Sequence, residues 1–141
     1  MLLTPHGACL LTTEADALSL ALYRALLDAG FAHWDRNGLP LLVVLAGSYS
    51  TKAQWFEAGL LAGQRVPLFL VGEGVNFRKR HVETIGRLGG WAVSLMPGDL
   101  TAQIARRGIV PSAWDKEASA AALIALNAKQ GAVGSAGDVP A

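Results

Sequence analysis

Short apolar runs alternate with stretches of helical spacing along most of this 141-residue chain. The apolar runs predict strands at residues 7–13, 31–34, 40–46, 66–71 and 91–95. Apolar positions three and four residues apart predict helices at 14–29, 51–64, 76–88, 97–107 and from 111 or 112 to 129. Strands that alternate with helices over short connections are typical of a parallel sheet with helices on both faces.

The expected fold is therefore a flavodoxin-like α/β sandwich of three layers, with five parallel strands in the order 2-1-3-4-5. We expect residues 1–129 to form one domain, and the small, polar, glycine-rich residues 130–141 to form a flexible tail. Such sheets bind ligands beyond the carboxyl ends of the strands, where the strand order reverses. The candidate ligand-binding residues at that edge are Thr12, Thr13, Gly47, Ser48, Tyr49, Ser50 and Asn76.

Composition excludes several classes of function. Hydrophobic residues make up 52% of the chain and charged residues 16%, which is globular and compatible with a subunit interface. A net charge of +1 gives no field that would attract nucleic acid or a membrane. The single Cys9 excludes an internal disulfide, and its place in a predicted strand indicates a buried, inert thiol. Neither a signal peptide nor a membrane span is predicted, so a cytoplasmic protein is expected.

No metal or cofactor site is predicted. His6, His33 and His81 lack the spacing of metal ligands, and no acidic residue clusters with them in the sequence, so all three are expected to be structural or surface residues. The basic residues 78–80 are expected to lie on a solvated helix face rather than on a phosphate. Trp55 and Trp91 are expected in the core, whereas Trp34, Tyr49 and Trp55 are also candidates to stack on a base.

The segment 47–52 joins a predicted strand to a helix start. Free backbone N–H groups and the helix dipole favour an anion there, and the hydroxyl groups add donors. The spacing is not that of a Walker A loop, because the Gly-Lys-Ser/Thr ending is absent. Helix capping by Ser48 and Ser50 explains the same residues equally well, and both roles are compatible.

Glu57 is the candidate catalytic residue. It lies about two turns into the helix predicted at 51–64, between two strands expected to be buried. The apolar face of this helix is assigned to Ala53, Phe56, Leu60 and Gly63, which puts Glu57 at the edge of that face. A carboxylate there requires a partner or a water-filled pocket. The plain alternative is an acid on a partly exposed helix edge, paired with Arg65.

The run Phe56-Glu57-Ala58-Gly59, followed by Pro67 and an apolar strand, resembles the nucleoside 2-deoxyribosyltransferase family. The resemblance covers residues 41–71 and extends more distantly to TIR domains. It implies that Glu57 is a nucleophile that attacks the anomeric carbon of a nucleoside or nucleotide and displaces the base. It also implies a homodimer or a higher homo-oligomer.

The sequence departs from that family because it lacks an acidic residue shortly before the glutamate. The stretch 48–54 holds no carboxylate, so no proton donor for the leaving base precedes Glu57. Asp16 and Asp35 are the remaining candidate acids, provided that the fold brings one of them into the cleft. Two functions stay open: cleavage or transfer at an N-glycosidic bond, and an inactive scaffold that binds a nucleotide or another protein.

Overall fold

The computed structural model describes residues 4–12, 17–46, 52–71, 83, 86–87, 91–93 and 97–138. Within these residues the strands are β1 (Ala8–Thr12), β2 (Leu42–Ala46), β3 (Leu68–Val71) and β4 (Trp91–Val93). The helices with complete bounds are α1 (Ala17–Asp28), α2 (Lys52–Gly63), α3 (Pro97–Arg106) and α4 (Ala113–Asp138). Each overlaps a predicted element. The helix predicted at 76–88 lies outside the described residues except for 83, 86 and 87, which are helical.

The four described strands form one parallel sheet in the order β1-β2-β3-β4. Thr12 pairs with Ala46, so the carboxyl ends of β1 and β2 are level. The strand predicted at 31–34 is reduced to one parallel bridge, between His33 and Ala8. The Ala8 N–H and C=O both bond to this segment, which therefore lies on the side of β1 away from β2.

This neighbour order is compatible with a flavodoxin-like fold, but the described residues show four strands and not the predicted five. The missing ladder has a local cause. Gly7 has a φ of 80°, and Arg36 and Gly38 both have a φ of 68°, so the backbone turns before β1 and after Trp34. Only a short stretch is left for pairing.

Helices cover both faces of the sheet. Leu22 and Leu26 of α1 pack with Leu100 and Ile104 of α3 on one face, against β-strand residues such as Phe69. Residues of α2 pack on the opposite face, which we call the α2 face, and α4 packs against α1. Every residue of β2 and β3 is buried, as expected for parallel strands covered on both sides.

The helix α2 is rotated about its axis relative to the prediction. Phe56 is 68% exposed and Leu60 is 53% exposed, and Ala53 and Gly63 are exposed too, so the predicted apolar face points to solvent. The buried side chains are those of Ala58, Leu61 and Ala62, with Trp55 partly buried beside them. Apolar residues occupy all sides of this helix, so their spacing alone does not select the face that packs.

The helix α4 continues to Asp138, nine residues past its predicted end at Lys129. Residues 130–138, predicted to be loose, are therefore helical. Extending an existing helix avoids the cost of nucleation, so a glycine-containing sequence can continue a long alanine-rich helix that it could not start.

Three helices end in the same way. The backbone adopts a positive φ shortly after each of them, at Gly30 (93°), Arg65 (67°) and Gly108 (75°). After α2, the Val66 N–H donates to the Leu61 carbonyl over 3.1 Å and the Arg65 N–H donates to the Ala62 carbonyl over 2.9 Å. These two bonds define a Schellman motif, whose left-handed position normally holds glycine.

Candidate functional site

The strand order reverses between β1 and β2. The chain passes from β1 to residues 31–34 on one side of that strand, and then to β2 on its other side. In α/β sheets, ligands bind beyond the carboxyl ends of the strands at such a point. Thr12 ends β1 there, and its hydroxyl lies 2.5 Å from that of Ser19 in α1. The Thr12 side chain is thus already hydrogen-bonded within the protein.

Most of the predicted ligand-binding residues lie outside the described residues. These are Thr13, Gly47, Ser48, Tyr49, Ser50 and Asn76. Asp16, one of the two candidate acids, and His81 and the basic residues 78–80 also lie outside them. Trp91 belongs to β4, but its side chain is not among those described. The predicted site residues among the described ones are Thr12, Asp35 and Glu57.

Glu57 is ion-paired with Arg36. An Arg36 Nη1 donates to Glu57 Oε1, and the Glu57 side chain is 29% exposed. Its carboxylate therefore lies at the edge of the α2 face, neither enclosed nor in bulk water. Glu57 is at the edge of the buried side of α2, although that side is not the predicted one, and its partner is Arg36 rather than Arg65. No local pattern in the sequence indicates this pair, because Arg36 stands 21 positions earlier, in a turn.

Arg36 is held in place by its backbone and by an aromatic ring. Its φ of 68° is unusual for a residue with a side chain, and its guanidinium carbon lies 5.3 Å from the centre of the Trp34 ring. The hydrogen bond to Glu57 raises the pKa of Arg36 above its ordinary value, so the guanidinium keeps its charge. Trp34 is 8% exposed and packs in the core, which leaves little of its ring for a ligand base.

Cys9 lies beneath this ion pair on β1. Burial raises the pKa of its thiol to about 11, and the negative charge of Glu57 adds to the rise. The predicted buried, inert thiol is confirmed, since Cys9 is 3% exposed. The influence of Glu57 on Cys9 also shows that the carboxylate lies close to β1. Both side chains are on the α2 face of the sheet.

Asp35, the second candidate acid, is hydrogen-bonded to His6 and Asn37. Its Oδ1 accepts hydrogen bonds from His6 Nε2 over 2.8 Å and from the Asn37 N–H over 3.0 Å. The bonds from Asn37 and then from His6 lower the pKa of Asp35. The spacing of His6 and Asp35 in the sequence does not indicate this pair. The two residues are 29 positions apart, and the bridge between His33 and Ala8 brings their segments together.

His6 lies beside the amino end of β1, and both nitrogens of its ring face acceptors. Nε2 faces Asp35, and Nδ1 lies 3.2 Å from the Thr4 carbonyl oxygen. Burial lowers the pKa of His6, but the hydrogen bonds to Asp35 and Thr4 outweigh it and raise the pKa above 6.5. The ring also meets Trp114 of α4 edge to face, with the ring centres 4.6 Å apart.

Asp115 is a buried carboxylate that the sequence interpretation missed. It is fully buried in the first turn of α4. Oδ1 accepts from the Gly7 N–H over 2.7 Å and from the Ala32 N–H over 3.2 Å. Oδ2 accepts from the Ser112 hydroxyl over 2.6 Å, and the Asp115 N–H donates back to that hydroxyl. The signal available in the sequence was Ser112-x-x-Asp115, the spacing of a helix capping box.

The sequence matches no family model and no curated protein. The resemblance to deoxyribosyltransferases therefore rests on residues 41–71 alone. Within the described part of the chain, no three His, Cys, Asp or Glu side chains come together as metal ligands would. Among the same residues, no helix combines the length and the apolar character needed to cross a bilayer.

Proposed function

We propose that the chain binds a nucleoside or nucleotide on the α2 face of the sheet beside β1, and that Glu57 acts on the N-glycosidic bond of this ligand. The observation that carries the proposal is the Glu57 carboxylate itself, which is paired with Arg36, lies close to Cys9 of β1 and is still partly accessible. A nucleophilic carboxylate must be oriented by the protein and reachable by the sugar. The ion pair provides orientation, and a 29% exposed side chain provides access.

In the proposed reaction, a Glu57 oxygen forms a bond to C1′ of the sugar while the bond from C1′ to the base breaks. The bonding electrons leave with the base, and water or a second base then takes the sugar from the ester. Arg36 acts on the carboxylate through its guanidinium and is a positioning residue. Asp35 is engaged with His6 and Asn37, so a substrate whose base leaves without protonation suits the described residues best.

The test is release of free base from a panel of nucleosides, nucleotides and NAD. We expect Glu57→Gln to abolish release, because the amide cannot act as the nucleophile. Its free energy of unfolding should change by less than about 1 kcal/mol, since partly exposed ion pairs contribute little. Glu117→Gln on the exposed side of α4 is the matched control and should keep full activity. A Glu57→Gln variant as active as the wild type would refute the role of Glu57.

The second candidate is a scaffold that binds a nucleotide or a protein without chemistry. The Arg36 pair favours it too, because the same contact satisfies Glu57 as an ordinary surface carboxylate. Under this function the wild-type protein releases no base from any member of the panel. A nucleotide that raises the melting temperature without being cleaved would indicate a binding scaffold. No shift with any nucleotide would favour a module for protein interaction.

A further inference from the structure

We propose that a groove beside the amino end of β1 is a second ligand site, which binds a small molecule with a protonated amine on an aromatic body. The groove has a volume of about 530 Å³. Its walls come from the segment before β1, the turn after Trp34 and the start of α4. It is distinct from the Glu57 site and does not depend on the proposed function.

The size of the groove and its lining suit a small organic molecule. Binding sites for such ligands generally have volumes of about 300–1,000 Å³ and apolar walls with a few polar groups. Here Pro5, Ala113 and Trp114 supply apolar surface, and His6, Asp35 and Asn37 supply polar groups. Trp114 is 48% exposed although it is large and apolar, so a substantial part of its ring is open to a ligand.

The charges at the groove favour a cation over an anion. The Asp35 side chain is 42% exposed, and its carboxylate lines the groove. The fully buried Asp115 lies directly behind Ser112 in the wall and adds a second negative charge. His6 offsets one of the two charges when it is protonated. The N–H groups of Ser112 and Asp115 at the start of α4 are engaged in the helix cap, so these two donors are not open to an anion.

These features together specify an aromatic amine. The hydrogen bonds from His6 Nε2 and the Asn37 N–H both go to Oδ1 of Asp35, and an ammonium group would approach the exposed side of this carboxylate. An aromatic body would cover the exposed part of Trp114 and lie against Pro5. The Asn37 side chain, which also bonds to Asp35, lines the groove beside this carboxylate.

The test compares two probes with the same ring and opposite charge, tryptamine and indole-3-propionate, by isothermal titration calorimetry on the full chain. We expect tryptamine to bind and indole-3-propionate not to bind. Asp35→Asn should weaken tryptamine about fivefold, as loss of a partly exposed charge pair would. Trp114→Ala should weaken it about threefold, as loss of an exposed aromatic contact to a cationic ligand would.

Matched controls keep the test specific. Asp99→Asn removes an exposed carboxylate on α3, and Ile124→Ala removes an exposed apolar side chain on α4, both outside the groove. Neither should change tryptamine binding. Melting curves of all variants identify any loss of folding, and Trp114→Leu replaces Trp114→Ala if the latter unfolds. No tryptamine binding, equal binding of both probes, or unchanged binding by Asp35→Asn would overturn the proposal. A change of oligomeric state in Trp114→Ala would assign the groove to a second copy instead.

Discussion

Replacing Asp115 by alanine should destabilise the protein more than almost any other polar substitution. The carboxylate accepts hydrogen bonds from two backbone N–H groups of other elements, at Gly7 and Ala32. Without an acceptor, each of these buried groups costs about 1–3 kcal/mol. Weakening of the reciprocal cap with Ser112 adds about 1 kcal/mol. The expected loss is therefore about 3–7 kcal/mol, a large part of the roughly 5–15 kcal/mol that stabilises a typical domain.

The isosteric variant Asp115→Asn separates hydrogen bonding from charge. Its amide oxygen can still accept from Gly7 and Ala32, so we expect a loss of only about 1–2 kcal/mol. Glu117→Ala, two residues further along α4 and exposed, is the control and should stay within about 0.5 kcal/mol of the wild type.

The measurement is urea unfolding followed by circular dichroism, with hydrogen exchange at the amides of Gly7 and Ala32 as a local readout. Both amides should exchange faster in Asp115→Ala. The reasoning is refuted if Asp115→Ala loses less than about 1 kcal/mol, or if Asp115→Asn is as unstable as Asp115→Ala. Either result would mean that the bonds to Gly7 and Ala32 contribute little.

Two further predictions concern His6 and Arg65. The folded-state pKa of His6 lies above 6.5, so its contribution to stability is complete below about pH 6.5 and is lost as the pH rises through the folded value. His6→Gln should therefore lower the melting temperature more at about pH 5.5 than at about pH 9; the opposite trend would contradict the raised pKa. Arg65→Gly should raise the free energy of unfolding by up to about 1 kcal/mol, because glycine adopts the positive φ at little cost. Gln64→Gly, one position earlier, should be destabilising instead, and equal effects of the two would refute the Schellman argument.

The order of elements could be predicted because hydrophobic runs and helix stop signals are local. The strands at 40–46 and 66–71 were recognised since each is buried on both faces, and Gly30 marked the end of α1. The segment 31–34 has similar composition but forms only a bridge, because the turns before and after it limit pairing with β1. Composition does not report that kind of constraint.

The partners of the charged side chains could not be predicted for a related reason. Glu57 was expected at a helix edge. Its partner Arg36 is itself the residue with the left-handed backbone, in a turn 21 positions earlier. The pair of His6 and Asp35 depends on the same turn. A single sequence shows which side chains need partners, but the path of the backbone decides which of them meet. The deoxyribosyltransferase resemblance remains a prediction.

The hydrogen bonds of Asp115 also bear on how the chain matures during synthesis. These bonds join positions that are 108 and 83 residues apart. The N–H groups of Gly7 and Ala32 therefore gain their acceptor only after α4 has left the ribosome. A nascent chain that stops before this helix would expose two unsatisfied amides beside a strand edge, which is a template for pairing with other chains. Truncated products should consequently be recognised by proteases or chaperones rather than accumulate as folded fragments.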